Sequence, residues 1–283
     1  MKFTAKTEEQ INVDTLTKVF TTIGKLSKNC IIRIGPGSLC AVQNENLREK
    51  AYKLWARLNP DHLFDDFRME GVSAEHNEIV LEVKPEDIRQ VFSKASNSRS
   101  VRIRLTKKGE PISAPHLTFE IKQQIGGSVA THDIPVRVVN ERYWTDYPRP
   151  DLPQFQVQLV LPTVKVLQKV VTSLKNMGSR YVMFSANNVG ELTIKGDTDA
   201  FEASVYFADL RVSLLAADEN GDEEAKKTFH GVRVDVRTIG QFLTNMQLTY
   251  CNLVLGVVSN RLAHFSIEQD ELTMQYFVPA ILL

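Results

Sequence analysis

Two segments of this chain carry the same apolar stripe. In "NVDTLTKVFTTIGKLSK" (12–28), Val13, Leu16, Val19, Phe20, Ile23 and Leu26 recur at spacings of three and four, the pattern of a helix with one buried face. In "TVKVLQKVVTSLKNMG" (163–178), Val164, Leu167, Val170, Val171, Leu174 and Met177 do the same. A shift of 151, from Val13 to Val164, lays all of the first stripe on the second, and it also carries Lys18 onto Lys169 and Thr21 onto Thr172. A second pair matches more loosely. "PEDIRQVFSKASNS" (85–98) opens on Pro85 with acids in its first turn, and "DVRTIGQFLTNMQ" (235–247) opens on Asp235, both good helix starts. A shift of 148 puts Ile88 on Val236, Arg89 on Arg237, Val91 on Ile239 and Ala95 on Leu243, but Phe92 on Gly240. A chain that repeats itself this way is held to two like halves.

Between the helices the apolar period drops to two. "CIIRI", "EIVLEV", "VRIRLT" and "HLTFEIK" read as strands in the first half. "YVMFSA", "ELTIKG", "FEASVYF", "CNLVLGVV", "LAHFSI" and "LTMQYF" do so in the second. Gly35-Pro36-Gly37, Lys108-Gly109, Asn187-Asn188 and Asn220-Gly221 mark turns. Each half is thus strand, helix, several strands, helix, several strands. The expected class is α+β, with a helix pair burying its stripes on one face of a largely antiparallel sheet. The expected domains are 1–139 and 156–283. They are joined by "NERYWTDYPRPDLPQF" (140–155), which holds Tyr143, Trp144 and Tyr147 among its prolines. "AADENGDEEAKKT" (216–228) reads as a solvated connection.

Overall charge names no partner, because 34 basic residues balance 34 acidic ones. The distribution is more telling. The helix faces away from the apolar stripes carry Lys18, Lys25, Lys28, Arg89, Lys94, Lys165, Lys169, Lys175 and Arg237. The helical acids, Asp14, Glu86, Asp87 and Asp235, cluster at helix starts, where a carboxylate suits the dipole. With Gln168, Gln241, Thr172 and Thr244 beside them, these cations form a surface suited to phosphates without base reading. No aromatic residue interrupts it, which argues against a single-strand stacking groove. The plainer alternative is a set of solubilising lysines.

Nothing in the chain spells catalysis. The six histidines lack HxxxH or HxH spacing, and no GxSxG, P-loop or GxGxxG occurs. His132-Asp133 has no serine placed to complete a triad. No metal and no cofactor is expected. The three cysteines, Cys30, Cys40 and Cys251, read as reduced thiols. No run approaches the roughly 18 apolar residues of a membrane helix, and "MKFTAKTEEQ" lacks a signal-peptide core, so no membrane partner is expected. The most acidic stretch, "DDFRMEGVSAEHNEIVLEV" (65–83), reads as two strands joined by the turn "VSAEHN". Phe64, Phe67 and Met69 pack, Ile79, Leu81 and Val83 face in, and Glu78, Val80 and Glu82 face out. A metal at Glu75, His76 and Glu78 is the competing reading.

That stretch also carries a likeness. "FRMEGVSAEHNEI", with "MKFTAK" (1–6), "KLSKNCIIRI" (25–34), "THDIPVRVV" (131–139), "GELTIK" (190–195) and "QYFVPA" (275–280), resembles the hydroxyurea-sensitive (Hus-type) subunit family of the nine-one-one DNA-damage checkpoint clamp. The pieces occur in order over nearly the whole chain. The resemblance implies a PCNA-like sliding-clamp fold: two similar domains per subunit, three subunits closing a ring, sheets outside and helices inside. It implies a non-catalytic subunit of a heterotrimer with two paralogous clamp subunits. A clamp loader would place the ring on double-stranded DNA at damage sites. The ring would support checkpoint-kinase activation and recruit repair enzymes in the nucleus, with a cytoplasmic pool when unassembled. The basic helix faces would line the inside.

Two β-prone segments are then the expected subunit edges, since the family pairs strands across its joints. One is 131–139, with His132, Ile134, Val136 and Val138; the other is 198–207, with Phe201, Ala203, Val205 and Phe207. A partner pocket is expected under the connector, from Ile34, Leu39, Tyr143, Trp144, Phe277, Val278 and Pro279. Three rivals remain on sequence: a homotrimeric replicative processivity clamp of the same fold, a metalloenzyme using the acidic turn, and a generic β-rich scaffold.

Overall fold

The computed structural model describes residues 1–43, 54–95, 98–109, 113–124, 126–200, 202–213, 223–248 and 251–281. It divides into two compact units, Met1–Pro150 with Gln269–Thr273, and Asp151–Glu268 with Met274–Leu283. Residues 140–147, the head of the connector, belong to the first unit. Phe201 and the Asn220-Gly221 turn lie outside the described residues.

The first unit runs β1 (Lys2–Thr7), α1 (Gln10–Leu26), β2 (Cys30–Gly35), β3 (Ser38–Gln43), β4 (Leu54–Leu58), α2 (Pro60–Leu63), β5 (Asp66–Glu70), β6 (Ile79–Val83), α3 (Pro85–Ser93), β7 (Ser98–Lys108), β8 (Ala114–Gln123), β9 (Val129–Pro135) and β10 (Arg137–Val138), then a 3₁₀ turn, Glu141–Asp146. The second runs β11 (Val157–Val160), α4 (Val164–Asn176), β12 (Tyr181–Ala186), β13 (Leu192–Asp197), β14 (Glu202–Phe207), α5 (Glu223–Lys226), β15 (His230–Asp235), α6 (Val236–Asn245), β16 (Val254–Val258), β17 (Leu262–Glu268) and β18 (Leu272–Pro279). Strands β1, β3, β4, β11 and β15 have no counterpart among the strands expected from alternation. Within the first unit the strands pair in the orders β5-β1-β7-β8-β9 and β10-β6-β2-β3-β4, and within the second β14-β13-β12-β15 and β18-β17-β16-β11. The β2–β3 hairpin turns at Gly37, whose φ of 70° suits glycine.

One offset serves both helix pairs. Helices α3 and α6 start 151 positions apart, at Pro85 and Val236. That register lays Ile88 on Ile239, Val91 on Phe242, Phe92 on Leu243 and Ala95 on Met246, all buried. The looser shift of 148 is therefore corrected: the duplication is tighter than periodicity alone suggested. For α1 and α4 the shared stripe is Val13/Val164, Leu16/Leu167, Phe20/Val171 and Ile23/Leu174. It fails at its end, because α4 stops at Asn176 and leaves Met177 as an exposed cap.

In each unit the stripes meet aromatic rings from the sheets. Phe20 stacks on Phe92, which meets Phe119 of β8 edge-on at 5.6 Å. In the second unit Phe242 lies against Phe265 of β17 and parallel to Tyr276 of β18 at 4.2 Å. Helix α1 approaches α3 at Gly24, where a Cβ would already touch the Glu86 main chain at 3.4 Å.

The acidic stretch forms the two expected strands, but they do not pair with each other. Strand β5 pairs with β1, whereas β6 pairs with β2 and β10 in the other sheet. Loop 71–78 therefore passes between two sheets. Val80, expected outward, is fully buried. It does face away from Leu81, but the connector head covers it: Val80 clusters with Ile31, Cys40, Val42, Trp55, Val139, Trp144 and Tyr147.

Candidate nucleic-acid interface

The helix faces carry most of the expected cations, with two corrections: Lys28 lies beyond α1, which ends at Leu26, and Lys94 is the C-cap of α3. Lys25, Lys28, Lys94, Lys165, Lys169, Lys175 and Arg237 are exposed, while Lys18 and Arg89 are half-buried. The helix pairs of the two units differ in what opposes these charges. In the first unit Arg89 is bound to Glu86 one turn back, its Nε donating at 2.7 Å. Arg89 first, then Gln90 and the nearby Lys25, hold the Glu86 carboxyl below its usual range. In the second unit neither α4 nor α6 contains an acidic residue. The neighbouring Asp235 caps α6 by accepting the Thr238 N–H at 2.7 Å. Glu86 and Arg237 occupy equivalent places at the two helix starts, so the repeat replaces an acid with a base there.

A cavity of about 480 Å³ opens at the start of α6, lined by Lys175, Gly178, Ser179, Arg180, Asp235, Val236 and Arg237. Arg180 is a basic residue that helical periodicity misses. It follows the end of α4, outside the helical count, and joins Lys175 and Arg237 only because α4 and α6 pack together. Gln168 reinforces that packing by donating to Leu243 O at 2.6 Å.

The expected edge segments separate on inspection. Among the described residues β9 pairs with β8 alone and β14 with β13 alone, so each ends its sheet with one side open. His132 and Ile134 lie on β9, and Ala203, Val205 and Phe207 on β14. Val205 and Tyr206 are exposed. Val136 and Val138 do not belong to the open side. Val136 is buried and its N–H donates to Pro115 O at 3.1 Å, while Val138 pairs with Leu81 in the other sheet. By the alternation of an antiparallel ladder, the N–H groups of Thr131 and Asp133 then point away from β8.

The expected pocket residues are scattered. Ile34 and Leu39 are cross-strand partners, buried on the sheet face opposite Cys40 and Trp144. Trp144 is buried too, its indole N–H donating to Val139 O at 3.0 Å. Tyr143 is exposed beneath Arg142. In the second unit Val278 is buried, Phe277 is half-buried against His264, and Pro279 is exposed.

The residues that could suggest chemistry are engaged elsewhere. Asp133 accepts from Lys108 and Thr118 at 2.7 and 2.6 Å, and its strand neighbour His132 points to the other face. His76 meets Glu141 and Glu78 meets Arg33. Among the described residues no three His, Cys, Asp or Glu side chains come together as a metal site would need. Also among them, no helix is long and apolar enough to cross a membrane. The three cysteines are buried thiols; burial pushes the Cys40 thiol up to about 11, well away from thiolate reactivity.

The folded chain is similar to the crystal structure of Proliferating Cellular Nuclear Antigen from Entamoeba histolytica, with a TM-score of 0.71 over 99% of each chain at 10% identity. The fold is therefore the PCNA-like sliding-clamp fold, α+β with antiparallel sheets. The family model described as "Hus1-like protein" matches residues 1–282. The chain belongs to the Hus1-like family. Among its relatives in that family is human "Checkpoint protein HUS1", 31% identical across 99% of this chain and 100% of that protein. "Checkpoint protein Hus1-like" of Drosophila melanogaster is 23% identical over 99% of both. "Checkpoint protein hus1" of Schizosaccharomyces pombe is 29% identical over 70% of this chain and 68% of that protein.

Proposed function

We propose that this chain is a non-catalytic subunit of a heterotrimeric, ring-shaped DNA sliding clamp, loaded at DNA damage sites, where it supports checkpoint-kinase activation and recruits repair enzymes. The observation that carries the reading is membership of the Hus1-like family over 1–282, on a PCNA-like fold. Two paralogous subunits would pair with the open edges of β9 and β14. A separate clamp loader would open and close the ring around double-stranded DNA, in the nucleus, with unassembled subunit also in the cytoplasm. Lys18, Lys25, Lys28, Lys94, Lys165, Lys169, Lys175, Arg180 and Arg237 would face the duplex. Arg89 would contribute less, since Glu86 holds it. Exchangeable contacts between such cations and phosphates bind without sequence choice, and a closed ring is retained by topology, so weak contacts suffice. The exposed Tyr143 in the first unit, and the exposed Pro279 with the half-buried Phe277 in the second, are the candidates for contact with repair and checkpoint proteins.

Light scattering of the purified chain, alone and mixed with the two paralogous subunits, tests assembly. The expected result is a trimer only in the mixture. That trimer should stay on nicked circular DNA after loading and slide off once the circle is cut. A stable trimer of the chain alone, retained on circles, would instead establish the homotrimeric processivity clamp.

A further inference from the structure

Loop 71–78 joins two sheets, yet it is built more tightly than a connection needs. A Cβ on Gly71 would collide with the Asn77 and Glu78 main chain. The Gly71 N–H donates to Asn77 Oδ1 at 2.8 Å, Val72 N–H to His76 O at 3.2 Å, and His76 N–H to Ser73 Oγ at 3.1 Å. A loop tied to itself this way aims its side chains in fixed directions.

Two of them hold the head of the connector, His76 directly and Glu78 through Arg33. His76 Nε2 lies 3.0 Å from Glu141, and its ring meets Trp144 edge-on. Glu78 accepts from Arg33 Nε and Nη2 at 3.1 and 2.6 Å, which leaves Arg33 Nη1 to donate to Tyr147 O at 2.5 Å. Between these grips Trp144 and Tyr147 are buried over Ile31, Val42, Trp55 and Val80. The head itself is a six-residue 3₁₀ turn, closed at its two ends by Tyr143 N–H to Asn140 O and Tyr147 N–H to Trp144 O. So short a turn does not hold its geometry unaided. Beyond it the chain changes character. Pro148, Arg149, Asp151, Leu152 and Gln154 are exposed, and no backbone hydrogen bond among the described residues involves 148–155.

We infer that loop 71–78 is a clamp that locks residues 141–147 onto the first unit, so that only 148–154 of the connector is free to move when a partner docks. The two grips are unequal. His76 and Glu141 are about half exposed, and such pairs contribute little in water. Arg33 is mostly sheltered and closes a three-way arrangement of charged hydrogen bonds, which are the stronger kind. Glu78 is therefore the principal positioning residue. This assignment is independent of any DNA contact, because every contact named lies within the first unit.

Hydrogen exchange on the full chain reads it directly. In Glu78→Gln combined with His76→Asn, the Tyr143 and Tyr147 amides should exchange about tenfold faster, while β2, β3 and β6 keep their protection. Glu78→Gln alone should give most of that change, His76→Asn alone about twofold, and Glu75→Gln, an exposed neighbour, none. Unchanged exchange at 143 and 147 in the double variant overturns the proposal, since Trp144 burial would then hold the head without the loop. Loss of protection at 143 and 147 only together with β2 and β6 overturns it equally, because the head would not be a separately clamped element.

Discussion

His264 is held in the second unit between the rings of Phe155 and Phe277, 5.0 and 4.7 Å away. It is buried, and neither ring nitrogen has a hydrogen-bond partner among the described residues. Gly256 makes room for the stack, since a Cβ there would come within 2.8 Å of the Phe155 ring. Burial pushes the imidazole down from 6.5 to about 4. Above pH 6.5 both folded and unfolded chains hold it neutral, and stability does not depend on it. As pH falls from 6.5 towards 4, the unfolded chain takes up a proton that the folded chain refuses, so stability is lost across that window. The loss amounts to about 3 kcal/mol at roughly 1.4 kcal/mol per unit. Urea titrations at pH 7 and pH 4.5 should show that decline in the parent and a much flatter response in His264→Phe. Trp144 is decided at the same scale. Trp144→Ala should cost about 3–5 kcal/mol by emptying the slot over Val80, measured by the urea midpoint.

At the scale of elements, the open strands carry the sharper expectation. Thr131→Pro removes an N–H that points away from β8, so it should weaken trimer assembly and leave the monomer's melting temperature nearly unchanged. Val136→Pro removes the N–H bonded to Pro115 O and should destabilise the chain itself. On β14, Val205→Asp places a charge on an exposed apolar edge and should likewise reduce assembly alone. Sedimentation of each variant with the two paralogous subunits, beside its thermal melt, separates the two effects. An assembly-competent Thr131→Pro together with an assembly-competent Val205→Asp would remove these strands as joints. The helices give a simpler test: Asp235→Ala leaves the Thr238 N–H uncapped and should cost about 1 kcal/mol.

For the whole molecule, the imbalance between the two helix pairs predicts unequal contributions to DNA retention. Lys165, Lys169 and Arg237 have no helical carboxylate opposite them, whereas Arg89 is tied to Glu86. Lys165→Glu with Lys169→Glu and Arg237→Glu should therefore shorten residence of the assembled ring on circular DNA more than Lys18→Glu with Lys25→Glu and Arg89→Glu. Removing one cation from the phosphates should also lower the slope of log affinity against log salt by about one. Trimer formation should survive the first set, whose three positions are exposed and cost little stability; Lys18 and Arg89 are half-buried, so a thermal melt accompanies the second. Equal residence of both triple variants and the parent at low and moderate salt would leave these faces merely solubilising.

Periodicity alone located four helices and most strands, because an amphipathic face is a local property: Val13, Leu16, Phe20 and Ile23 show their stripe without reference to any neighbour. The hairpin at Gly37 was legible for the same reason, since its backbone conformation is written in the residue itself. What alternation does not say is what covers a strand. Val80 read as outward and is outward, yet Trp144 buries it from more than sixty positions away along the chain. Nor does it say which strands pair: β5 and β6 are consecutive, yet each pairs with a strand closer to the N-terminus. Arg89 counted as a free cation until the α3 turn placed Glu86 beside it, and Arg180 went uncounted until α4 and α6 packed. Sequence thus determined which faces are apolar and which are basic. Tertiary structure decided which charges are cancelled, which edges stay open and which residues of the connector are held, because those depend on long-range pairing that no local spacing encodes.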